Sequence, residues 1–440
     1  MQGIVVIGHT DVGRRTCALL AARGVRTHHL DDPTDAELRS ALSGDVDGVA
    51  VLLHDDMRAL RYSLVVEHVR PGIRLFVAMF DGTARMQLER SVPNCVVLSP
   101  AAIAVPSMVA AAISPGHVAV RRATNPETKQ WVTIDAEPGV DEALIRPFVM
   151  PPHLRRRGLV GTLRGQLRPY DSGSAVLLGG AFGLVAVILI DMLVGLRHES
   201  FTRALYDAAR TTATIAAPDL PDEPAVLIWG TVAALLVMGF TAAFAAGIVN
   251  HLLSGRHVAL MGRRVIPRSG HVVIAGMGQV GVRLAQELRA MGVAVVGVER
   301  SPDAPALPIA RDRGIAVAIG DATSRRVLRR AGLRRAVAIV AAGSEERDNI
   351  AVAISAQAVD DDVTIVIRAG ADDAIDETRS LFHIGSVVDV NGLTSAFVAQ
   401  AMTDVAPYSV VAVDDRLLAL DRDGTVTAVM TGSMVRCDCT

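Results

Sequence analysis

The chain has 440 residues, with 44 Lys and Arg against 46 Asp and Glu, for a formal charge of -2. That balance excludes a general nucleic-acid binder, whose electrostatic footprint would be basic, and the length exceeds one ordinary domain. A mean hydropathy of +0.36 is too apolar for a soluble enzyme and points to a membrane segment.

Residues 1–114 read as a worn dinucleotide-type unit. Gly3 to Gly8 reads as a strand and a tight turn with no cleavable signal, so membrane insertion relies on internal helices. Gly8, Thr10 and Gly13 are followed by a helix through Leu20 and a strand ending at Leu30, Asp31 and Asp32. Strands at 49–53 and 75–79 suit the same fold. Thr10 stands where a middle glycine would let backbone approach a pyrophosphate, so this half packs against a partner domain or binds something else, while Asp31 and Asp32 at the ribose-acid position keep nucleotide binding open. Residues 115–172 are broken by Pro115, Pro126, Pro138, Pro147, Pro151 and Pro152. They read as a linker ending in a basic pre-membrane segment at Arg155, Arg156 and Arg157.

Residues 173–252 form a membrane module with helices expected at about 174–194 and 225–249. The first run holds one acid, Asp191, and the second holds no charge, so each can cross about 30 Å of hydrocarbon. Arg155, Arg156, Arg157, Arg164 and Arg168 precede the first span, and Arg256, Arg263, Arg264 and Arg268 follow the second. Only Arg197, Arg203 and Arg210 lie between them. Basic residues prefer the cytoplasmic flank, which places both termini in the cytoplasm of a multi-pass plasma-membrane protein. Residues 201–219 are a helical stretch ending in a threonine run, and 253–269 connect the membrane module to the C-terminal domain.

Residues 270–401 carry the clearest chemistry. A strand at His271 runs into Gly276, Met277, Gly278, Gln279, Val280 and Gly281, then into a helical pattern to Arg289. Gly276 permits the tight turn, Gly278 admits a pyrophosphate, Gly281 lets helix and strand pack, and the helix N-terminus faces the phosphates. A second apolar strand, 293–298, ends in Glu299 and Arg300, where an acid would accept hydrogen bonds from a ribose. Strand and helix keep alternating through 315–321, 327–331, 336–342 and 363–368, which predicts a doubly wound parallel sheet. Its ligand belongs past the carboxyl ends of the strands, where Asp321, Ala342 and Arg368 fall.

These residues, with Asp321, Ala322 and Thr323, resemble the regulator-of-potassium-conductance (RCK) family, also called the potassium-transport nucleotide-binding or TrkA-N type. The resemblance implies α/β Rossmann-like domains before and after the pore module. It also implies NAD(H), ADP or ATP as a regulatory ligand, with Glu299 on the ribose and Asp321 with Thr323 near the base. Residues 201–219 are similar in place and outline to the pore helix and filter of two-span potassium channels. Thr214, Ile215 and Asp219 match that pattern, while Ala216, Ala217 and Pro218 stand where glycine, aromatic and glycine are expected. Pro218 fixes its own φ near about -65°, so the filter is altered and selectivity is open.

The resemblance implies a homotetramer in a lipid bilayer, because two spans cannot enclose a pore alone, with potassium as a possible permeant ion. The alternative is a non-conducting, membrane-anchored nucleotide sensor that regulates a separate transporter. Residues 402–440 read as a small β-rich tail. Cys17, Cys95, Cys437 and Cys439 are too scattered for a disulfide framework. Cys437 and Cys439 lack a second ligand pair, so no metal site is expected. No catalytic arrangement accompanies the Rossmann signature, and the chain is not expected to be an enzyme.

Overall fold

A computed structural model of the chain describes residues 3–123, 130–137, 142–154, 172–197, 199–213, 223–253, 266–267, 269–370, 385–413 and 416–431. Two compact units emerge: Met1–Arg156 with Pro267–Thr440, and Arg157–Ile266.

The first unit contains two Rossmann-like halves. Its N-terminal half has strands β1 (Gly3–Ile7), β2 (Arg26–Leu30), β3 (Gly48–Val51), β4 (Arg74–Ala78) and β5 (Cys95–Leu98). They form a parallel sheet in the order β2-β1-β3-β4-β5. Ile4, Val5, Val6 and Ile7 are all buried, as a sheet covered on both faces requires. Helices α1 (Asp11–Ala22), α2 (Asp35–Leu42), α3 (Asp56–Val69) and α4 (Gly82–Ser91) begin at Thr10, Thr34, Asp55 and Asp81, whose side chains accept first-turn N–H groups. Thr34 and Glu37 complete a capping box.

The C-terminal half alternates β9 (His271–Ala275), α9 (Gln279–Ala290), β10 (Ala294–Glu299), α10 (Leu307–Asp312), β11 (Ala316–Ile319) and α11 (Arg325–Arg330). It continues with β12 (Ala336–Ala341), α12 (Glu346–Gln357), β13 (Thr364–Ala369) and β14 (Ser386–Asp389). Its six parallel strands are ordered β11-β10-β9-β12-β13-β14. The order reverses between β9 and β12, the switch point where such sheets bind ligands.

The halves exchange helices. α5 (Pro100–Ile113) leaves the first half and packs on α9, β12, β13 and β14, whereas α13 (Val390–Thr403) leaves the second and packs on α1, β3 and β4. Phe397 of α13 meets Phe76 of β4 with ring centroids 6.1 Å apart. One hydrophobic core therefore includes residues of both halves, among them Phe76, Met108, Leu284 and Phe397.

The segment read as a linker is corrected by the structure. Residues 115–172 contain β6 (Ala119–Arg122), β7 (Trp131–Asp135) and β8 (Leu144–Pro147), an antiparallel sheet. The tail supplies β15 (Ser409–Val413), β16 (Arg416–Leu420) and β17 (Val426–Thr431), also antiparallel. Ala119 and Ile134 of the first sheet share a core with Val411, Leu418 and Leu420 of the second. The prolines punctuate the segment and close β8 at Pro147, while the strands between them are too short to show a periodicity.

In the second unit, α6 (Ser172–Gly195) and α8 (Pro224–Leu253) flank α7 (Phe201–Thr212). Ala175–Gly195 and Pro224–Val249 are long and apolar enough to cross a membrane. Small residues set their spacing: a Cβ on Gly180 would lie 2.7 Å from the Phe244 nitrogen, and one on Gly247 would lie 2.7 Å from the Leu177 Cα. Phe182, Leu189, Leu193, Leu235 and Met238 are exposed, a surface suited to hydrocarbon. Asp191 does not stand alone, because its carboxylate accepts a hydrogen bond from the Trp229 indole at 3.3 Å.

Candidate nucleotide cleft

The glycine turn links β9 to α9. Gly276 has φ +90°, a left-handed conformation that favours glycine, and a Cβ there would lie 2.8 Å from the Gly343 nitrogen. A Cβ on Gly281 would lie 2.0 Å from the Gly276 carbonyl oxygen, so helix and turn require hydrogen at that place. Gly278 is different. It is the N-cap of α9, no side chain caps the helix there, and the space around it is open. The helix thus presents N–H donors and a positive dipole end with backbone close by.

A cavity of about 840 Å³ spreads past the strand ends. Gly276, Met277, Gly278, Gln279, Val280, Glu299, Arg300, Asp321, Ala322, Ala342 and Arg368 all line it. Of the expected residues, Gly281 and Thr323 stand behind the lining. Gly281 packs under the turn, while Thr323 donates from its backbone N–H and its hydroxyl to Asp321 Oδ1 at 2.9 and 2.8 Å. Those two bonds, the backbone one first, hold the Asp321 carboxyl below its ordinary range.

Glu299 ends β10 with both oxygens engaged: Oε2 accepts from Met277 N at 2.8 Å and Oε1 from Ser301 N at 3.1 Å. The carboxylate is therefore anchored to the glycine turn itself. Arg300 Nη2 lies 2.9 Å from Asp348 and 3.7 Å from Asp321, and the Asp321 charge leads in raising the guanidinium pKa. Arg368 is the contrasting cation. Burial lowers its pKa, and among the described residues no hydrogen bond or ion pair engages its side chain. A half-buried guanidinium beside an open helix N-terminus suits a phosphate. The cleft residues thus fit a nucleotide.

Several cleft residues were not legible as site residues. Asn349 is buried. Its Oδ1 accepts from Gly343 N at 2.9 Å, and its Nδ2 donates to the carbonyls of Gly343 and Arg368 at 3.0 and 2.9 Å. One amide thereby fixes the ends of β12 and β13 together. Asn391 donates to Gly370 O at 2.8 Å. The far wall comes from the N-terminal half, through Thr10, Asp11, His54 and Phe80.

Thr10 shows why the first half differs from the second. Its hydroxyl oxygen accepts from Gly13 N and donates to Leu52 O, each at 3.0 Å. The side chain caps α1 and fills the position that Gly278 leaves open in α9. Arg15 of α1 lies 2.7 Å from Asp389 and donates to Gly370 O at 3.1 Å. The N-terminal half therefore packs on the loop end of the other sheet.

Residues 272–388 match the family profile of the TrkA-N domain. The C-terminal half is a TrkA-N domain. The chain is similar to potassium channel protein 1 of Methanocaldococcus jannaschii, with 24% identity over 208 residues, covering 45% of this chain and 62% of that one. It is also similar to an uncharacterized protein of Methanothermus fervidus, with 32% identity over 111 residues, covering 25% of this chain and 18% of that one. It spans less than two thirds of the length of these curated relatives.

Among solved structures, the GsuK channel bound to NAD has a TM-score of 0.51 at 14% identity, covering 91% of this chain and 64% of that chain. The crystal structure of the GsuK RCK domain has a TM-score of 0.50 at 14% identity, covering 91% and 77%. These likenesses establish a shared fold. Rossmann-like domains flank two apolar helices, and a β-rich tail follows the TrkA-N domain.

The expected filter residues Thr214, Ile215, Ala216, Ala217, Pro218 and Asp219 lie outside the described residues, as do Arg155, Arg156 and Arg157, most of the 253–269 connector, and Cys437 and Cys439.

Proposed function

We propose that this protein is a ligand-gated, potassium-channel-like membrane protein whose TrkA-N domain binds NAD(H) or an adenine nucleotide. The observation that carries the reading is the cleft at Gly278, where an uncapped helix N-terminus, the anchored Glu299 carboxylate and the Arg368 cation, unpaired among the described residues, surround one cavity. Similarity to a potassium channel protein supports the transport half of the reading. The relative described as bound to NAD supports the ligand class. Gly278 and Arg368 take the phosphates, Glu299 the ribose, and the N-terminal half covers the ligand through Asp11 and His54.

Transport requires assembly around a pore, and a homotetramer in the plasma membrane with cytoplasmic termini follows from two spans per chain and the arginine bias. The role is regulatory, without turnover of the nucleotide. Ala216, Ala217 and Pro218 in the filter position favour a second reading, a non-conducting sensor that controls a separate transporter. Calorimetric titration of the purified protein with NADH, ADP and ATP tests the site: saturable binding that Glu299→Gln weakens about tenfold supports it. Absence of binding by all three contradicts it, and consumption of NADH would contradict the regulatory role.

A further inference from the structure

A second cavity, of about 320 Å³, lies away from the glycine turn and is walled by α5, α13, β6 and β15. Its volume falls in the range of small-molecule sites, about 300–1,000 Å³. A recess of about 120 Å³ shares Ala102, Pro106, Arg121 and Arg122 with it and reaches Trp131 and Arg283. Glu287 lines the recess and lies 3.5 Å from Arg122, whereas the described lining of the larger cavity holds Arg121, Arg122 and Arg422 and no carboxylate. Arg121 stacks over the Tyr408 ring, 3.7 Å from its centroid. Among the described residues no carboxylate pairs with Arg121 or with Arg422, which lines the same cavity. Burial lowers the Arg121 pKa, and the nearby Arg422 charge adds to that lowering. Two cations are therefore held near each other without a counter-ion among the described residues, an arrangement that an anion relieves.

Apart from Arg122 and Ser409, the rest of the lining is apolar and aromatic, including Ile103, Phe397 and Tyr408. Pro106 stands inside α5 and has no N–H to donate to the Ala102 carbonyl four residues earlier, which adds a polar acceptor where the two cavities meet.

We propose that this cavity is a second ligand site, distinct from the nucleotide cleft, that takes a small phosphomonoester with an aromatic or apolar body. Arg121 and Arg422 take the phosphate, and Phe397 and Tyr408 take the body. The walls come from both exchanged helices and both small sheets, so an occupant is held by all four at once. Trp131, over which the Arg122 guanidinium lies 5.1 Å from the ring centroid, is a reporter at the adjoining recess.

The test is titration of the purified full chain with phenyl phosphate, read by tryptophan fluorescence and repeated in Trp131→Phe, Arg121→Gln, Arg422→Gln and Arg368→Gln. The expected result is a saturable change that is lost in Trp131→Phe, weakened at least tenfold in Arg121→Gln and Arg422→Gln, and kept in Arg368→Gln. Arg422 is exposed, so its variant decides the matter where Arg121→Gln does not fold. No saturable change, an unaltered response in Arg422→Gln, or loss in Arg368→Gln, which would place the probe in the nucleotide cleft, overturns the proposal.

Discussion

At the residue scale, side chains divide between those that build the cleft and those that meet a ligand. Arg368 belongs to the second group, since no described partner holds its side chain. Arg368→Gln should leave the ligand-free melting temperature nearly unchanged while weakening nucleotide binding roughly ten- to hundredfold, the scale of a charge-assisted hydrogen bond. Calorimetry and thermal melting on one preparation check both halves of that expectation.

His271 belongs to the first group. It is buried at the start of β9 and its Nε2 lies 3.0 Å from Ala331 O, so the neutral ring donates there. Burial pushes its pKa from 6.5 down to about 4. The unfolded ring takes a proton as pH falls below about 6.5 and the folded ring does so only near 4. Stability is therefore whole above that window and declines through it, by about 3 kcal/mol in total. Chemical denaturation from pH 7 to 4 should show this slope, and His271→Gln should flatten it.

The glycine turn, Glu299, Asp321 and Arg368 were legible in the sequence because their spacing along alternating strands and helices is local information. Asn349 and His54 were not: Asn349 gains its role only when β12 and β13 lie side by side and it ties Gly343 to Arg368, and His54 reaches the cleft from the other half. Thr10 was legible as an intruder in a glycine position. That its hydroxyl caps α1 and bonds to Leu52 required the fold.

At the scale of elements, the two exchanged helices carry the architecture. α5 is apolar nearly all round, a pattern that marks a helix buried between layers and not a surface helix, and α13 carries only small or uncharged polar residues among its apolar ones. The sequence therefore held a sign of their burial, but not of which sheet each one covers. Phe397→Ala should cost about 3–5 kcal/mol, the usual penalty for emptying a buried aromatic site. Because α13 meets β3 and β4 of one half and leaves β14 of the other, hydrogen exchange should quicken in both sheets together. Quickening confined to one sheet would contradict the shared core. The small sheet β6–β8 was hidden for a different reason: strands of four or five residues between prolines carry too few alternations to read.

At the scale of the whole molecule, the chain combines a TrkA-N domain, a second Rossmann-like half that forms the far wall of its cleft, and two helices with the length and surface of membrane spans. The spans and the doubly wound sheets were plain in the sequence, since uninterrupted apolar length and strand-helix alternation are both one-dimensional signals. Selectivity was not, because a filter works through stacked carbonyls, and Thr214 to Asp219, where the sequence leads one to expect it, lie outside the described residues. Under the proposed function, a nucleotide in the TrkA-N cleft controls cation passage. Cation flux into liposomes carrying the purified protein, under potassium and sodium gradients with and without NADH or ATP, tests it most directly. The expected result is a potassium flux that a nucleotide changes and that Arg368→Gln uncouples from the nucleotide. Protein that binds nucleotide yet passes no cation under any ligand would contradict it and favour the sensor.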